Sequence, residues 1–206
     1  ATSALHLAYL AIGLGEKDIV WTSPNTFVST ANAALYCGAT VDFVDIDPKT
    51  FNMSVQLLEK KLIQAKKDNR LPKLVVPVHF SGQSCDMRSI WELSQKYGFK
   101  VIEDASHALG GEYLNKKVGN CDFSHMSIFS FHPVKIITTG EGGMALTNDE
   151  HLYQKMVTLT THGITRDKTL IHNKHEGDWY YEQLDLGLNY RMTEMQAALG
   201  VHRCEG

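Results

Sequence analysis

The sequence predicts an α/β fold with a mostly parallel sheet sandwiched by helices. Two observations carry the prediction. Short, continuously apolar runs alternate with stretches of helical spacing along the whole chain, the pattern of strands buried on both faces. Polar residues that could do chemistry cluster just after several of those runs, at the carboxyl ends where such sheets bind ligands.

In order, Thr2-Ser3-Ala4-Leu5-His6-Leu7-Ala8-Tyr9-Leu10 opens a helix with small hydroxyl residues available as caps. Asp18–Thr22 is a short strand, turned by Pro24 and Asn25 into a helix from Thr26 to Tyr36 that Gly38 ends. Val41–Asp45 is the next strand, and Ser54 caps a helix to about Lys67. Leu74–Val78 is a strand whose Pro77 marks an edge, bulge or end. Asp86 caps Met87–Tyr97, and Lys100–Asp104 is a strand. Met126–Phe129 and Met144–Leu146 read as strands around a loop. Thr147 with Glu150 predicts a capping box for a helix to about Thr161, and Thr193 with Gln196 repeats it. The polar stretch from Arg166 to Gly187, with Asp178-Trp179-Tyr180-Tyr181 inside it, reads as a long surface loop.

Composition narrows the function classes. With 206 residues, 43% hydrophobic and 21% charged at net charge −3, the chain can build one sizeable core. The weak acidity and the lack of a long basic run argue against a nucleic-acid surface. No apolar stretch approaches the roughly 20 residues of a membrane span. Cys37, Cys85, Cys121 and Cys204 form no CxxC pair, which fits free thiols in a reducing, cytoplasmic setting. The chain opens without methionine at a helix entry and stops soon after a helical pattern begins, so it is expected to be a piece of a longer protein.

Two stretches carry the chemistry. Ser130-Phe131-His132-Pro133-Val134-Lys135 follows an apolar run and precedes Gly140-Glu141-Gly142-Gly143, so one lysine is held between a strand end and a tight turn. A lysine is a nucleophile only when neutral, which burial or a neighbouring cation favours. Val101-Ile102-Glu103-Asp104 delivers an acid at another strand end, followed by Ser106 and His107. A lysine and an aspartate facing one crevice suit pyridoxal phosphate: the amine takes the aldehyde, and the carboxylate keeps the pyridine nitrogen protonated. Thr2 and Ser3 at a helix N-terminus offer hydroxyls and amides to a phosphate, and Phe27 offers a ring face. Other sets are set aside: His172 and His175 lack a third ligand, so no metal is expected, and Gly13 with Gly15 does not complete a dinucleotide fingerprint.

These motifs, together with Ser23-Pro24-Asn25-Thr26-Phe27, Glu103–Gly110 and Gly187-Leu188-Asn189-Tyr190-Arg191-Met192, resemble the DegT/DnrJ/EryC1/StrS sugar aminotransferases, a branch of the fold-type I pyridoxal-phosphate enzymes. They run in family order over essentially the whole chain. The resemblance implies that residues 1–206 are the large cofactor-binding domain, with an N-terminal segment and a small C-terminal domain outside it. It implies that Lys135 binds the cofactor covalently and moves the proton, and that Asp104 pairs with the pyridine nitrogen. His107 would sit near the ring hydroxyl, Phe27 and Ser106 on opposite ring faces, and Thr2, Ser3 and Ser130 on the phosphate. Asn189 and Arg191 would reach the phosphate from a neighbouring subunit, in a homodimer with shared sites.

Lys135 stands where relatives that remove a hydroxyl carry histidine, so transamination is implied. Ala1–Tyr9, Ser130–Lys135 and Thr161–Arg166 are most similar to members that aminate carbon 4 of a UDP-linked 4-keto-6-deoxy-N-acetylhexosamine in pseudaminic acid synthesis, with L-glutamate as donor and 2-oxoglutarate released. Arg166 and Trp179 are candidates to meet the nucleotide or sugar, or to pack a dimer. Other nucleotide-sugar 3- or 4-aminotransferases, and a non-catalytic pyridoxal-phosphate sensor, remain the alternatives.

Overall fold

The computed structural model describes residues 1–173 and 177–204. The first half runs α1 (Thr2–Ala11), β1 (Ile19–Thr22), α2 (Val28–Tyr36), β2 (Thr40–Phe43), α3 (Val55–Lys67), β3 (Leu74–Val76), α4 (Met87–Tyr97) and β4 (Lys100–Asp104). The second half runs β5 (Glu112–Tyr113), β6 (Lys116–Lys117), β7 (Met126–Ser130), β8 (Gly143–Leu146), α5 (Glu150–Thr160), β9 (Ile164–Thr165), β10 (Glu182–Gln183) and α6 (Glu194–Cys204). Among the described residues, no helix is long and apolar enough to cross a membrane.

Six strands form one sheet in the order β2-β1-β3-β4-β7-β8. All neighbours are parallel except β7 and β8, which are antiparallel. The predicted mostly parallel α/β sheet is therefore what forms. Its interior strands are buried on both faces: every residue of β3 and β7 is buried, whereas edge strand β2 is largely exposed. Side-chain alternation divides each strand between two cores. Val20, Val76, Ile102 and Ile128 pack with α1, α2 and α5, while Trp21, Val75 and Val101 pack with α3 and α4. Asp104 thus shares a face with Ile102, towards α2, and Glu103 faces the other way.

Local signals explain most helix ends. α4 starts at the Asp86 cap, whose carboxylate accepts the Ser89 amide, and stops at Gly98 in the left-handed region, φ 82°. Ser54 caps α3 by accepting the Leu57 amide, and the Leu58, Leu62 and Ala65 stripe is its buried face. At α6 the Thr193 hydroxyl accepts the Gln196 amide and Gln196 accepts the Thr193 amide, the capping box expected there.

Four expectations need correction. Thr2 and Ser3 do not cap α1; they are its first residues, exposed, with Ala1 in the cap position. Helix α5 is capped by Asp149, whose carboxylate accepts the His151 and Leu152 amides. Thr147 is engaged elsewhere, donating its hydroxyl to the His125 carbonyl at 2.7 Å. The strand expected to run to Val78 stops at Val76, and Pro77 just past it marks a strand end, one of the readings its position allowed. The 166–187 stretch is not wholly irregular either: β10 pairs with β9 as a two-stranded ribbon, and Glu182 gathers the His172 and Asn173 amides. Those bonds pull its pKa down to about 2. Of the two histidines set aside above, His175 lies outside the described residues. The ribbon of β5 and β6 was not foreseen; its turn residues Leu114 and Asn115 have φ 51° and 62°.

His125, just before β7, gives a stability prediction. Its Nδ1 accepts the Val101 amide at 3.1 Å and its ring packs on Trp91 at 5.1 Å. Burial, and after it the Lys100 cation, lower its pKa. A group whose folded pKa lies below its unfolded value of about 6.5 takes up its proton first in the unfolded chain. The stability it contributes is present above about 6.5 and is lost as pH falls through the folded value. Thermal melts should therefore fall more steeply from pH 7 to pH 5 in the wild type than in His125→Asn, which keeps an acceptor for Val101. Parallel curves would refute this.

Candidate active site

The site is built at two neighbouring strand ends. At the first, Asp104 closes β4 and is 4% exposed. Its backbone is fixed on both sides: its amide donates to the Pro77 carbonyl at 2.9 Å, its carbonyl accepts the His79 amide at 3.1 Å, and Ala105 donates to Ile128 at 2.9 Å. The carboxylate receives three donors. Oδ1 accepts the Ser106 hydroxyl at 2.6 Å and the Ser106 amide at 3.2 Å, and Oδ2 accepts the Thr30 hydroxyl at 2.7 Å. An acceptor-only, ionised carboxylate is the form that set suits. On the opposite face of β4, Glu103 is 5% exposed and is held by Ser124 Oγ at 2.5 Å and His79 Nε2 at 2.7 Å. The Cys85 amide donates to His79 Nδ1 at 3.1 Å, which leaves the proton on Nε2 for Glu103. This buried polar cluster braces the strand end from behind.

At the second strand end, β7 delivers Ser130, 6% exposed. The chain then makes a loop pinched at its base. Phe131 donates to the Gly142 carbonyl at 3.0 Å, and the Thr139 amide and Thr138 hydroxyl both donate to the Phe131 carbonyl. Lys135 lies in the loop, half-buried, its amide bonded to the His132 carbonyl at 2.9 Å. Pairing of Ser130 with Gly143 brings the loop's end against α1, where the Ala1 nitrogen donates to the Gly142 carbonyl at 3.1 Å. A Cβ on Gly143 would stand 2.9 Å from the Ala1 Cα, and one on Gly142 would overlap the Thr139 hydroxyl, so close approach requires glycine at both places. Ser130, Thr2 and Ser3 are thereby gathered near one helix N-terminus, whose first amides have no partner within the helix.

His107 follows Asp104 by three residues and is exposed. Desolvation of its ring and then the Lys135 cation lower its pKa, against an upward pull from Asp104. Phe27 is 71% exposed at the cap position of α2, beside the same strand ends.

A cavity of about 590 Å³ opens at the α1 N-terminus, lined by Thr2, Ser3, Gly142, Asn189, Tyr190 and Arg191 among others. Neither Asp104 nor Lys135 lines it. Within one chain, Asn189 and Arg191 therefore share a wall with that chain's own Thr2 and Ser3. Their segment is strapped to the end of α5: Leu188 donates to Leu159 at 2.7 Å, Tyr190 donates to Thr160 at 3.1 Å, and the Tyr190 hydroxyl meets His6 Nδ1 at 3.2 Å. The strap passes so close to the preceding turn that a Cβ on Gly163 would overlap the Asp185 carbonyl, and one on Gly187 would overlap the Gly163 amide. Gly187→Ala should lower stability by on the order of 2–4 kcal/mol, read as a drop in thermal midpoint; an unchanged midpoint would mean the strap can move.

The lysine, the aspartate, Ser106, His107 and Ser130 were all legible as strand-end residues. Thr30 was missed. It lies in the first turn of α2, whose buried positions the sequence does not separate by chemistry. Ser106, expected against a ring face, spends its hydroxyl on Asp104. Arg166 lies over the Tyr181 ring at 5.9 Å, and Trp179 is 71% exposed.

The model of the DegT/DnrJ/EryC1/StrS aminotransferase family matches residues 1–206. The chain belongs to this family. Within the DegT/DnrJ/EryC1/StrS family, it is 44% identical over 203 residues to the UDP-4-amino-4,6-dideoxy-N-acetyl-beta-L-altrosamine transaminase of Campylobacter jejuni subsp. jejuni serotype O:23/36, covering 98% of this chain and 50% of that protein. Among solved structures it is similar to Helicobacter pylori PseC, an aminotransferase involved in the biosynthesis of pseudoaminic acid, with 36% identity and TM-score 0.86 over 99% of this chain and 51% of that one. It also resembles Bacillus subtilis ntda with bound cofactor PMP, with 30% identity and TM-score 0.79 over 98% of this chain and 42% of that one. The likeness extends to the fold-type I architecture of these family members. The chain spans about half the length of the relatives it matches.

Proposed function

We propose that residues 1–206 form the large cofactor-binding domain of a pyridoxal-phosphate-dependent sugar-nucleotide aminotransferase. The observation that supports the reading is that Asp104 closes β4 while Lys135 lies in the loop that follows β7, the neighbouring strand. A buried carboxylate supplied with donors and a half-buried lysine one strand away are the two groups such a cofactor needs. Family membership, and a relative whose structure holds PMP, support the same cofactor.

Pyridoxal phosphate, when bound, supplies an aldehyde that takes up amines and a ring that accepts electrons from the adjacent carbon. With the group bound, the Lys135 Nζ would hold its aldehyde. Its amine would also be the base that takes a proton from the donor's amine-bearing carbon and, in the second half-reaction, delivers one to the sugar carbon that becomes aminated. The Asp104 carboxylate would keep the proton on the pyridine nitrogen. His107 is placed for the ring hydroxyl, Phe27 and Ser106 for the two ring faces, and Thr2, Ser3 and Ser130 for the phosphate. Asn189 and Arg191, which in this chain line a cavity with its own Thr2 and Ser3, complete the phosphate site of the neighbouring subunit in a homodimer.

The substrate reading is a UDP-linked 4-keto-6-deoxy-N-acetylhexosamine aminated at carbon 4 from L-glutamate, in pseudaminic acid or related surface-sugar synthesis in the cytoplasm. It rests on the named activity of the Campylobacter relative and on the Thr161–Arg166 motif. The test is direct. The purified full-length protein should be yellow, glutamate should bleach it, and borohydride should fix the cofactor on the peptide carrying Lys135. A panel of keto-sugar nucleotides read by mass then identifies the acceptor. Colourless protein, or label on another lysine, ends the reading; colour without bleaching by any donor leaves a binding protein only.

A further inference from the structure

We propose that Thr30 is a positioning residue for the reaction, its hydroxyl fixing the Asp104 carboxylate so that a free lone pair meets the cofactor's pyridine nitrogen. The inference rests on the cofactor assignment above and adds a residue to it. Of the three donors on the carboxylate, two come from Ser106, two residues along the same loop, and move with it. Thr30 is the donor from a separate element, 74 residues away in sequence, at 2.7 Å from Oδ2. It is therefore the contact that ties the carboxylate's rotation to the body of the fold.

Thr30 is itself held in place. It is fully buried, and its carbonyl accepts the hydroxyl of the equally buried Tyr9 at 3.0 Å, which anchors α2 to α1. Its hydroxyl lies 2.8 Å from that of Thr26. Because the Thr30 proton is committed to Asp104, Thr26 must be the donor in that pair. A chain of hydroxyls thus runs Thr26 to Thr30 to Asp104, starting one residue before Phe27. Helix α2 consequently sets two things at once: where the ring face of Phe27 stands, and how the carboxylate is turned. A packing role alone would need a methyl-bearing side chain of this shape, but no hydroxyl aimed at a charge.

The test compares wild type, Thr30→Val and Thr30→Ser in the full-length protein. Binding is measured for pyridoxal phosphate and for an analogue with carbon in place of the ring nitrogen, which gives Asp104 nothing to hold. Valine should weaken pyridoxal phosphate binding about tenfold, the scale of a hydrogen bond to a charged group, and lower kcat with little change in the donor's KM. The analogue's affinity should change less than about twofold, and serine should restore wild-type behaviour to within about threefold. Equal weakening of both ligands by valine, or a serine variant as weak as valine, would reduce Thr30 to a packing residue. If the valine variant does not fold, Thr26→Val should still show a loss of about threefold for the cofactor and none for the analogue; equal losses overturn the proposal. A colourless wild type would sink the cofactor assignment and this role together. A coloured wild type matched by Thr30→Val would sink this role alone.

Discussion

Lys135→Ala should abolish transamination while leaving a protein that still takes up pyridoxal phosphate. The lysine sits in a loop whose shape is set by backbone bonds at Phe131, Thr139 and Gly142, none of which involves its side chain. Truncation should therefore spare the fold, with a thermal midpoint near wild type. Loss of both nucleophile and proton carrier should reduce single-turnover rates with glutamate by at least about 10⁴-fold, the upper range for a positioned acid–base group. Absorbance should shift from that of the lysine-linked cofactor to that of the free aldehyde, and borohydride should label no peptide. A variant that retains even a tenth of the wild-type rate would place the reactive amine elsewhere.

Asp104→Asn is expected to have the second-largest effect. Asparagine keeps the shape, and its carbonyl oxygen can still accept from Ser106. Its amide then points a donor at the Thr30 hydroxyl, in place of an acceptor at 2.7 Å. The negative charge that stabilises a protonated ring nitrogen is gone. We expect kcat to fall by about 10³-fold, within the range seen when a charge-stabilising partner is removed from a reacting centre. Affinity for the cofactor should fall as well, but much less for the analogue that lacks the ring nitrogen. Asp104→Glu should not rescue, because the site is closed around the shorter side chain, which is 4% exposed. A fully active Asp104→Asn would remove the carboxylate from the mechanism.

The sequence showed the site's main groups for a physical reason. In a parallel sheet the strand's carboxyl end is where the chain leaves the core, so a polar residue closing an apolar run is conspicuous. Asp104 and Ser130 both stand there. Helix α4 was equally plain, with an acid before it and a glycine after it. The misreadings have causes too. Thr147 and Asp149 both precede α5 with capping side chains; only packing shows that Thr147 is drawn off to His125. Thr30 gave no signal because a hydroxyl on a helix's buried face has meaning only through its tertiary partner. Glu103, His79 and Ser124 lie far apart in the chain and meet only once the sheet has formed. The cavity beside Asn189 and Arg191 likewise exists only because the strap folds back on α5.

Gly163 and Gly187 leave no room for a methyl group on either side, and the strap they lock carries Asn189 and Arg191. In a genetic screen, a substitution at either glycine would be scored with active-site lesions although neither position touches the reacting atoms. Their histories should be joined as well. Neither can drift alone, and an intragenic suppressor of one should map to the opposite turn rather than to the catalytic crevice.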